Sequence, residues 1–201
     1  MLTQSPSGRS QVDALLRQAR DASMRDASGR AGDRGGQGGA PTLLCASGRG
    51  GSGTTLVAAL LAVAAAGEGY RVLLIDGDEH VGPLSMLLGV PVRAGWQDLR
   101  SGQLSPMDIA TPVSTTLTLV AGGPVRFTDG PMAALSAAER KACFRRISAL
   151  SQGMDLVVID CGSRFDTVSA AITPHANERL LAIAAGADPI GLASTYALCK
   201  A

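Results

Sequence analysis

Gly48-Arg49-Gly50-Gly51-Ser52-Gly53-Thr54-Thr55 follows a short apolar run, Thr42–Ala46, and opens an alanine-rich stretch, Thr54–Ala66. Strand, glycine-rich turn and helix in that order form the setting in which backbone N–H groups converge on phosphate oxygens. Glycines serve there because the backbone must approach the ligand closely and pass through positive φ. The helix N-terminus adds its positive dipole end to the same place. A hydroxyl at Thr55 can ligate Mg2+. The phosphate-binding pattern is G-x-x-x-x-G-K-[ST], and every position is met except the lysine, which here is Thr54. A charge-assisted hydrogen bond is worth roughly 1.5–3 kcal/mol, about one to two decades of affinity. Nucleotide binding through Gly48, Arg49, Gly50, Gly51, Ser52, Gly53, Thr54 and Thr55 is therefore expected to survive the substitution better than hydrolysis does. The alternative is a glycine-rich turn that holds no ligand.

Two acidic strand ends work outward from this loop. Arg71-Val72-Leu73-Leu74-Ile75-Asp76-Gly77-Asp78 reads as a buried strand closing on two carboxylates. Open parallel sheets bind ligands beyond the carboxyl ends of their strands, where such groups hold Mg2+ through water or orient an attacking water. Asp155-Leu156-Val157-Val158-Ile159-Asp160-Cys161-Gly162 has the form of a second such strand, its Asp160 suited to the Mg2+ surroundings. Each run alone also reads as a polar turn after a strand. The order of loop, D-x-D strand and apolar strand ending in Asp is more specific than any one of them.

From Pro41 to Ala201 apolar runs alternate with helical stretches. Strands are expected at Thr42–Ala46, Arg71–Ile75, Leu117–Ala121, Leu156–Ile159 and Leu180–Ala184. Helices are expected at Thr54–Ala66, Pro83–Leu88, Ser136–Leu150, Phe165–Ala176 and from about Asp188. Continuous apolar strands alternating with helices indicate a mainly parallel sheet covered on both faces. Ahead of this α/β domain, residues 1–20 contain a short amphipathic helix. In it Val12, Leu15, Leu16 and Ala19 form one stripe, Ser10 is a plausible N-cap and Asp13 lies in the first turn. Residues 21–40, rich in Gly, Arg, Ser, Asp and Ala, read as a flexible linker.

Composition narrows the function. The 201 residues are 46% hydrophobic but only 3% aromatic, so the core must rest on Leu, Val, Ile and Ala. A net charge of +1 gives no electrostatic case for nucleic acid or an anionic membrane. Arg140, Lys141, Arg145 and Arg146 form the one basic concentration, on an expected helix. Cys45, Cys143, Cys161 and Cys199 are widely spaced, against a zinc site or disulfide framework and in keeping with a reducing cytosol. Leu56–Ala66, the longest apolar run, is too short for a bilayer, which needs about 20 residues. A cytoplasmic protein is the expectation.

With these motifs in place the sequence resembles the MinD/ParA family of deviant Walker A ATPases, whose loop reads K-G-G-x-G-K-[ST]. The resemblance runs from about Pro41 to the end. It implies a three-layer P-loop NTPase fold that binds ATP and Mg2+ and dimerises around nucleotide. Arg49 falls at the family's signature lysine, which reaches the partner subunit's phosphates, and Asp78 at the carboxylate that orients the attacking water. These two are the implied catalytic residues. Thr55, Asp76 and Asp160 are the implied metal-site residues. Leu84-Ser85-Met86-Leu87-Leu88-Gly89 is similar to the family's L-S-x-L-L-G, and Ala193-Ser194-Thr195-Tyr196-Ala197-Leu198-Cys199-Lys200 to its D-A-Y-A-L-I-K segment.

Within the family the resemblance is to FlhG-type regulators of flagellar number and placement. Their N-terminal D-Q-A-x-x-L-R element stimulates a GTPase of the signal-recognition-particle type; Gln11-Val12-Asp13-Ala14-Leu15-Leu16-Arg17 is a loose match. Pilus-assembly (CpaE/TadZ-like) and cellulose-secretion (BcsQ-like) relatives also read G-T-T in the loop, and a non-catalytic scaffold in such a system is the alternative. Relative to the family the chain is expected to be truncated at its C-terminus, before the last strands, the base-contacting loop and the membrane-targeting helix. His80, after the acidic pair, reads as an exposed loop histidine or a phosphate contact. His175 is assigned no chemistry. Trp96 reads as the anchor of a surface helix or as an exposed partner contact, and Cys161 as a small buried residue rather than a nucleophile.

Overall fold

The computed structural model describes residues 40–78, 82–122, 135–163, 178–182 and 189–200. The amphipathic segment Ser10–Arg20, the linker 21–40 up to its last residue, His80, His175 and the expected helix Phe165–Ala176 lie outside them. A six-stranded sheet forms the middle layer, in the order β3-β4-β2-β5-β1-β6. Its strands are β1 (Thr42–Ala46), β2 (Val72–Asp76), β3 (Ala110–Pro112), β4 (Leu117–Val120), β5 (Leu156–Gly162) and β6 (Glu178–Ala182). All pair in parallel except β3, which lies antiparallel to β4 at the edge. The helices are α1 (Thr54–Gly67), α2 (Pro83–Leu88), α3 (Ala137–Ile147) and α4 (Pro189–Lys200).

Alternation along each strand divides the core between the sheet's two faces. Leu44, Leu73, Ile75, Val157 and Ile159 face one cluster with Trp96, Leu99, Phe144 and Ile147. Cys45, Val72, Leu74, Leu119 and Val158 face the other, with Ala58, Ala59, Ala62 and Ala65 of α1. The small residues of α1 let its backbone lie close to the sheet, and two of its leucines point outward, Leu56 and Leu60 being 49% and 59% exposed. That side of α1 sets the helix N-terminus directly over the strand ends. On α3 a reciprocal cap starts the helix, with the Glu139 N–H donating to Ser136 Oγ and the Ser136 N–H to Glu139 Oε2.

Several expectations shift. The strand expected from Arg71 begins at Val72, because Arg71 is held sideways; its N–H and Nε both donate to Asp155 Oδ2, at 2.9 and 3.2 Å. The strand expected at Leu180–Ala184 begins earlier, at Glu178. The helix expected at Ser136–Leu150 ends at Ile147 and tightens into a 3-10 turn at Ser148–Ser151. The surface helix expected at Trp96 is a 3-10 segment, Trp96–Ser101, while strand β3 and the 3-10 segment Pro106–Ile109 were not anticipated, since elements this short carry no readable periodicity. The basic concentration on α3 is structural in part. Arg140 is buried, and the Arg146 guanidinium donates to the carbonyls of Leu99 and Leu104. No helix among the described residues is long and apolar enough to cross a membrane.

Candidate functional site

Strand β1 ends at Ala46, and the Ser47 N–H continues its ladder by donating to the Gly162 carbonyl at 2.8 Å. The chain then turns through the loop into α1. Gly51 and Gly53 sit at φ of 77° and 80°, left-handed conformations that glycine adopts without strain. A Cβ at either would meet nothing within 4 Å, so the loop is open on that side. Gly53 is the N-cap of α1, and no side chain caps this helix end. The N-terminal N–H groups of α1 therefore remain available to an anion.

The loop borders a cavity of about 880 Å3, lined also by Asp78, Pro83, Met86, Leu87, Asp160 and Ser163. Thr55 hydrogen-bonds through its hydroxyl to the Asp160 carboxylate, whose Oδ1 also accepts from the Gly162 N–H at 3.0 Å. Burial raises the Asp160 carboxyl above its ordinary range, opposed by Thr55 and Gly162 and reinforced by the charge of Asp78. The structure thus brings Arg49, Asp78, Thr54, Thr55 and Asp160 to one cavity with Gly50, Gly51, Ser52 and Gly53. Gly48 stands just behind it. Its N–H donates to Thr195 Oγ1 of α4 at 3.0 Å.

Asp76, expected as a metal-site residue, is fully buried, is not among the residues lining the cavity, and accepts hydrogen bonds on both oxygens. Its Oδ1 takes the Asp78 N–H and its Oδ2 the Leu84 N–H, each at 3.0 Å. It fixes the turn after β2 and the first turn of α2. Burial pushes its carboxyl up to about 8, with the charges of Asp160 and Asp78 adding to the rise and the two N–H groups opposing it. In the unfolded chain the same group ionises near 3.8. Between these values the native state keeps a proton that the unfolded chain has released, so stability falls as pH rises from about 4 to about 8. Urea midpoints measured across that window, without divalent cation, should decline with pH, and Asp76→Asn should flatten the decline. An unchanged slope in the variant would assign it to Asp160 instead.

Trp96 is fully buried, so the exposed partner contact is excluded and the anchoring role holds. Its Nε1–H donates to the Asp76 carbonyl at 2.7 Å. Cys161 is buried as expected, and burial lifts the Cys45 thiol to about 12, far from a reactive thiolate. Reading the sequence missed Ser47. A serine directly after a strand and ahead of a glycine-rich loop was the available signal.

The donor set fits a Mg2+–nucleotide. Mg2+ takes few protein oxygens and fills its octahedron with water and phosphate. One hydroxyl and one carboxylate side by side suit that habit, and no group of three or more His, Cys, Asp or Glu able to hold a metal exists among the described residues.

A parallel sheet, a glycine-rich loop entering a helix and two acidic strand ends at one cavity define a P-loop domain of the MinD/ParA class. The family model described as Cellulose biosynthesis protein BcsQ matches residues 41–192, and the chain belongs to that family. It is also 27% identical to the antiactivator FleN of Pseudomonas aeruginosa over 162 residues, 79% of this chain and 55% of that protein. The chain thus spans about half the length of that relative. Among solved structures, MinD of Pyrococcus horikoshii with Mg-ADP superposes with a TM-score of 0.65 at 23% identity, covering 80% of this chain and 64% of that one. An ATP complex of McdA from Cyanothece gives 0.63 at 23% identity, covering 82% and 64%.

Proposed function

We propose that this chain binds ATP with Mg2+ and acts as a MinD/ParA-type regulator of flagellar number or placement, with weak or lost hydrolysis. The observation that carries the binding is the open, uncapped start of α1, with Thr55 of its first turn hydrogen-bonded to Asp160 at the same cavity. Thr55 and Asp160 would hold Mg2+, and the N–H groups from Gly50 to Thr55 would cradle the phosphates. When bound, Mg-ATP supplies a γ-phosphoryl group open to displacement by water. Asp78, at the cavity wall, would orient that water. Arg49, exposed in the loop, would reach a second subunit in a nucleotide-dependent dimer. The flagellar assignment is supported by the likeness to FleN. It carries with it a GTPase of the signal-recognition-particle type as partner, engaged through residues 10–20.

A second reading, a scaffold in cellulose biosynthesis, is favoured by the family's description and by Thr54 in place of lysine. Both readings place the protein in the cytoplasm, with recruitment to a pole or the inner face of the membrane. Calorimetric titration of the full chain with Mg-ATP tests the common step, and no heat at millimolar nucleotide would sink it. Asp78→Asn should leave the Mg-ATP affinity within about threefold while abolishing whatever turnover the chain has. Deleting the gene separates the processes: altered flagellar counts support the first reading, and lost cellulose with normal flagella supports the second.

A further inference from the structure

Thr54 stands where the loop pattern has its lysine, and its hydroxyl is turned back into the protein. It donates to Ser47 Oγ at 3.0 Å, and Ser47 Oγ donates in turn to the Arg49 carbonyl at 2.8 Å, with the Gly162 carbonyl 3.4 Å away. Both residues are buried, Ser47 to 1% and Thr54 to 5% exposure. The residue before the loop and the residue at its lysine position are thereby tied together, with the Arg49 carbonyl as the third point. Ser52 Oγ adds a second bond to the same carbonyl, at 2.8 Å. This loop is held in shape by hydroxyls.

A loop lysine does two things: it braces the turn and it reaches the β- and γ-phosphates, whereas backbone N–H groups cradle the α- and β-phosphates. Here the hydroxyl pair takes over the bracing and nothing at Thr54 takes over the reach. The γ-phosphate also adds negative charge to a cavity that already holds Asp78 and Asp160. Among the described lining residues Arg49 is the only cation, and it is exposed, where charge is screened. We infer that the Ser47–Thr54 hydroxyl pair makes this a site that binds nucleoside diphosphate and triphosphate with nearly equal affinity, Thr54 being the specificity-determining position. The inference rests on the reading that this cavity binds adenine nucleotide. Occupancy of this site then follows total Mg-nucleotide and not the ATP-to-ADP ratio.

The test is the pair of dissociation constants for Mg-ADP and for Mg-ATP, or its non-hydrolysable analogue, in the full chain, Thr54→Lys and Ser47→Ala. The unmodified chain should bind both within about threefold. Thr54→Lys should tighten the triphosphate by about 10–100-fold and the diphosphate by less, opening the ratio to about tenfold or more, as one added charge-assisted bond allows. Ser47→Ala should weaken both together and leave the ratio unmoved. A tenfold preference for triphosphate in the unmodified chain overturns the inference and leaves nucleotide binding intact. So does a Thr54→Lys variant that tightens both ligands equally. Should Thr54→Lys fail to fold, the ratio in the unmodified chain decides alone. Absence of binding to either nucleotide in every variant overturns the underlying reading together with the inference.

Discussion

Gly48→Ala should lower the melting temperature by roughly 6–12 °C and loosen α4 from the sheet. The cause is distance, not backbone conformation. A Cβ on Gly48 would fall 2.1 Å from the Ser194 carbonyl carbon and 2.2 Å from the Thr195 nitrogen. Both are backbone atoms, so no side chain can rotate away and the helix must move as a body. Overpacking of a tight site costs about 1–3 kcal/mol, occasionally more, and a contact between two backbones belongs at the upper end. The displaced helix also gives up the bond between the Gly48 N–H and Thr195 Oγ1. At roughly 2–4 °C per kcal/mol for a domain of 150–250 residues, about 3 kcal/mol gives the stated shift. Thermal melts monitored by circular dichroism measure it, and amide exchange across residues 189–200 should accelerate. A variant that melts like the parent would mean that α4 does not rest on the loop.

Replacing Trp96 should be among the most destabilising single changes in the described core. Its ring is fully buried and packs against Phe144 with centroids 5.2 Å apart. Trp96→Ala should cost about 3–5 kcal/mol, a large part of the stability of an ordinary domain. Trp96→Phe isolates the polar component. It keeps an aromatic ring against Phe144 but withdraws the donor from the buried carbonyl of Asp76, which should cost about 1–3 kcal/mol. That carbonyl belongs to the strand end from which Asp78 reaches the cavity, so the Phe variant should also weaken Mg-nucleotide binding. Urea unfolding and calorimetry on the two variants check both statements. Equal stability losses for Phe and Ala would assign the whole effect to the hydrogen bond, and a Phe variant with parental stability would assign it all to packing.

The long periodic elements were legible in the sequence because burial on both faces leaves continuous apolar strands. Helix α2 was read at its observed limits because Pro83 and Gly89 mark them, the first as N1 and the second as a left-handed C-cap. The cavity's loop and Asp160 were legible from spacing alone. Asp76 and Asp78 could not be separated that way. Both end the same strand, and only the three-dimensional course of the chain turns one inward to the Asp78 and Leu84 amides and the other to the cavity. Trp96 was ambiguous for a related reason: a lone aromatic in a polar stretch has no periodicity to say which side it faces. Ser47 escaped because its role depends on Thr54 and Gly162, one across the loop and one 115 positions away from it.

That separation bears on how the molecule is made. Strand β1 carries the phosphate loop, yet both of its neighbours, β5 and β6, are supplied by the C-terminal part of the chain. As the polypeptide leaves the ribosome, β2 and β4 can meet early, while β1 has no partner on either side until residues 156–162 have emerged. Such long-range parallel pairing is slow to form and leaves unpaired edges exposed in the meantime. A nascent chain that already contains the whole loop therefore has no floor to set it on. Nucleotide can select only molecules in which β5 has reached β1, and it stabilises them by mass action once they form. Emergence of β5, rather than the loop's own chemistry, sets the first moment at which the loop can hold a ligand.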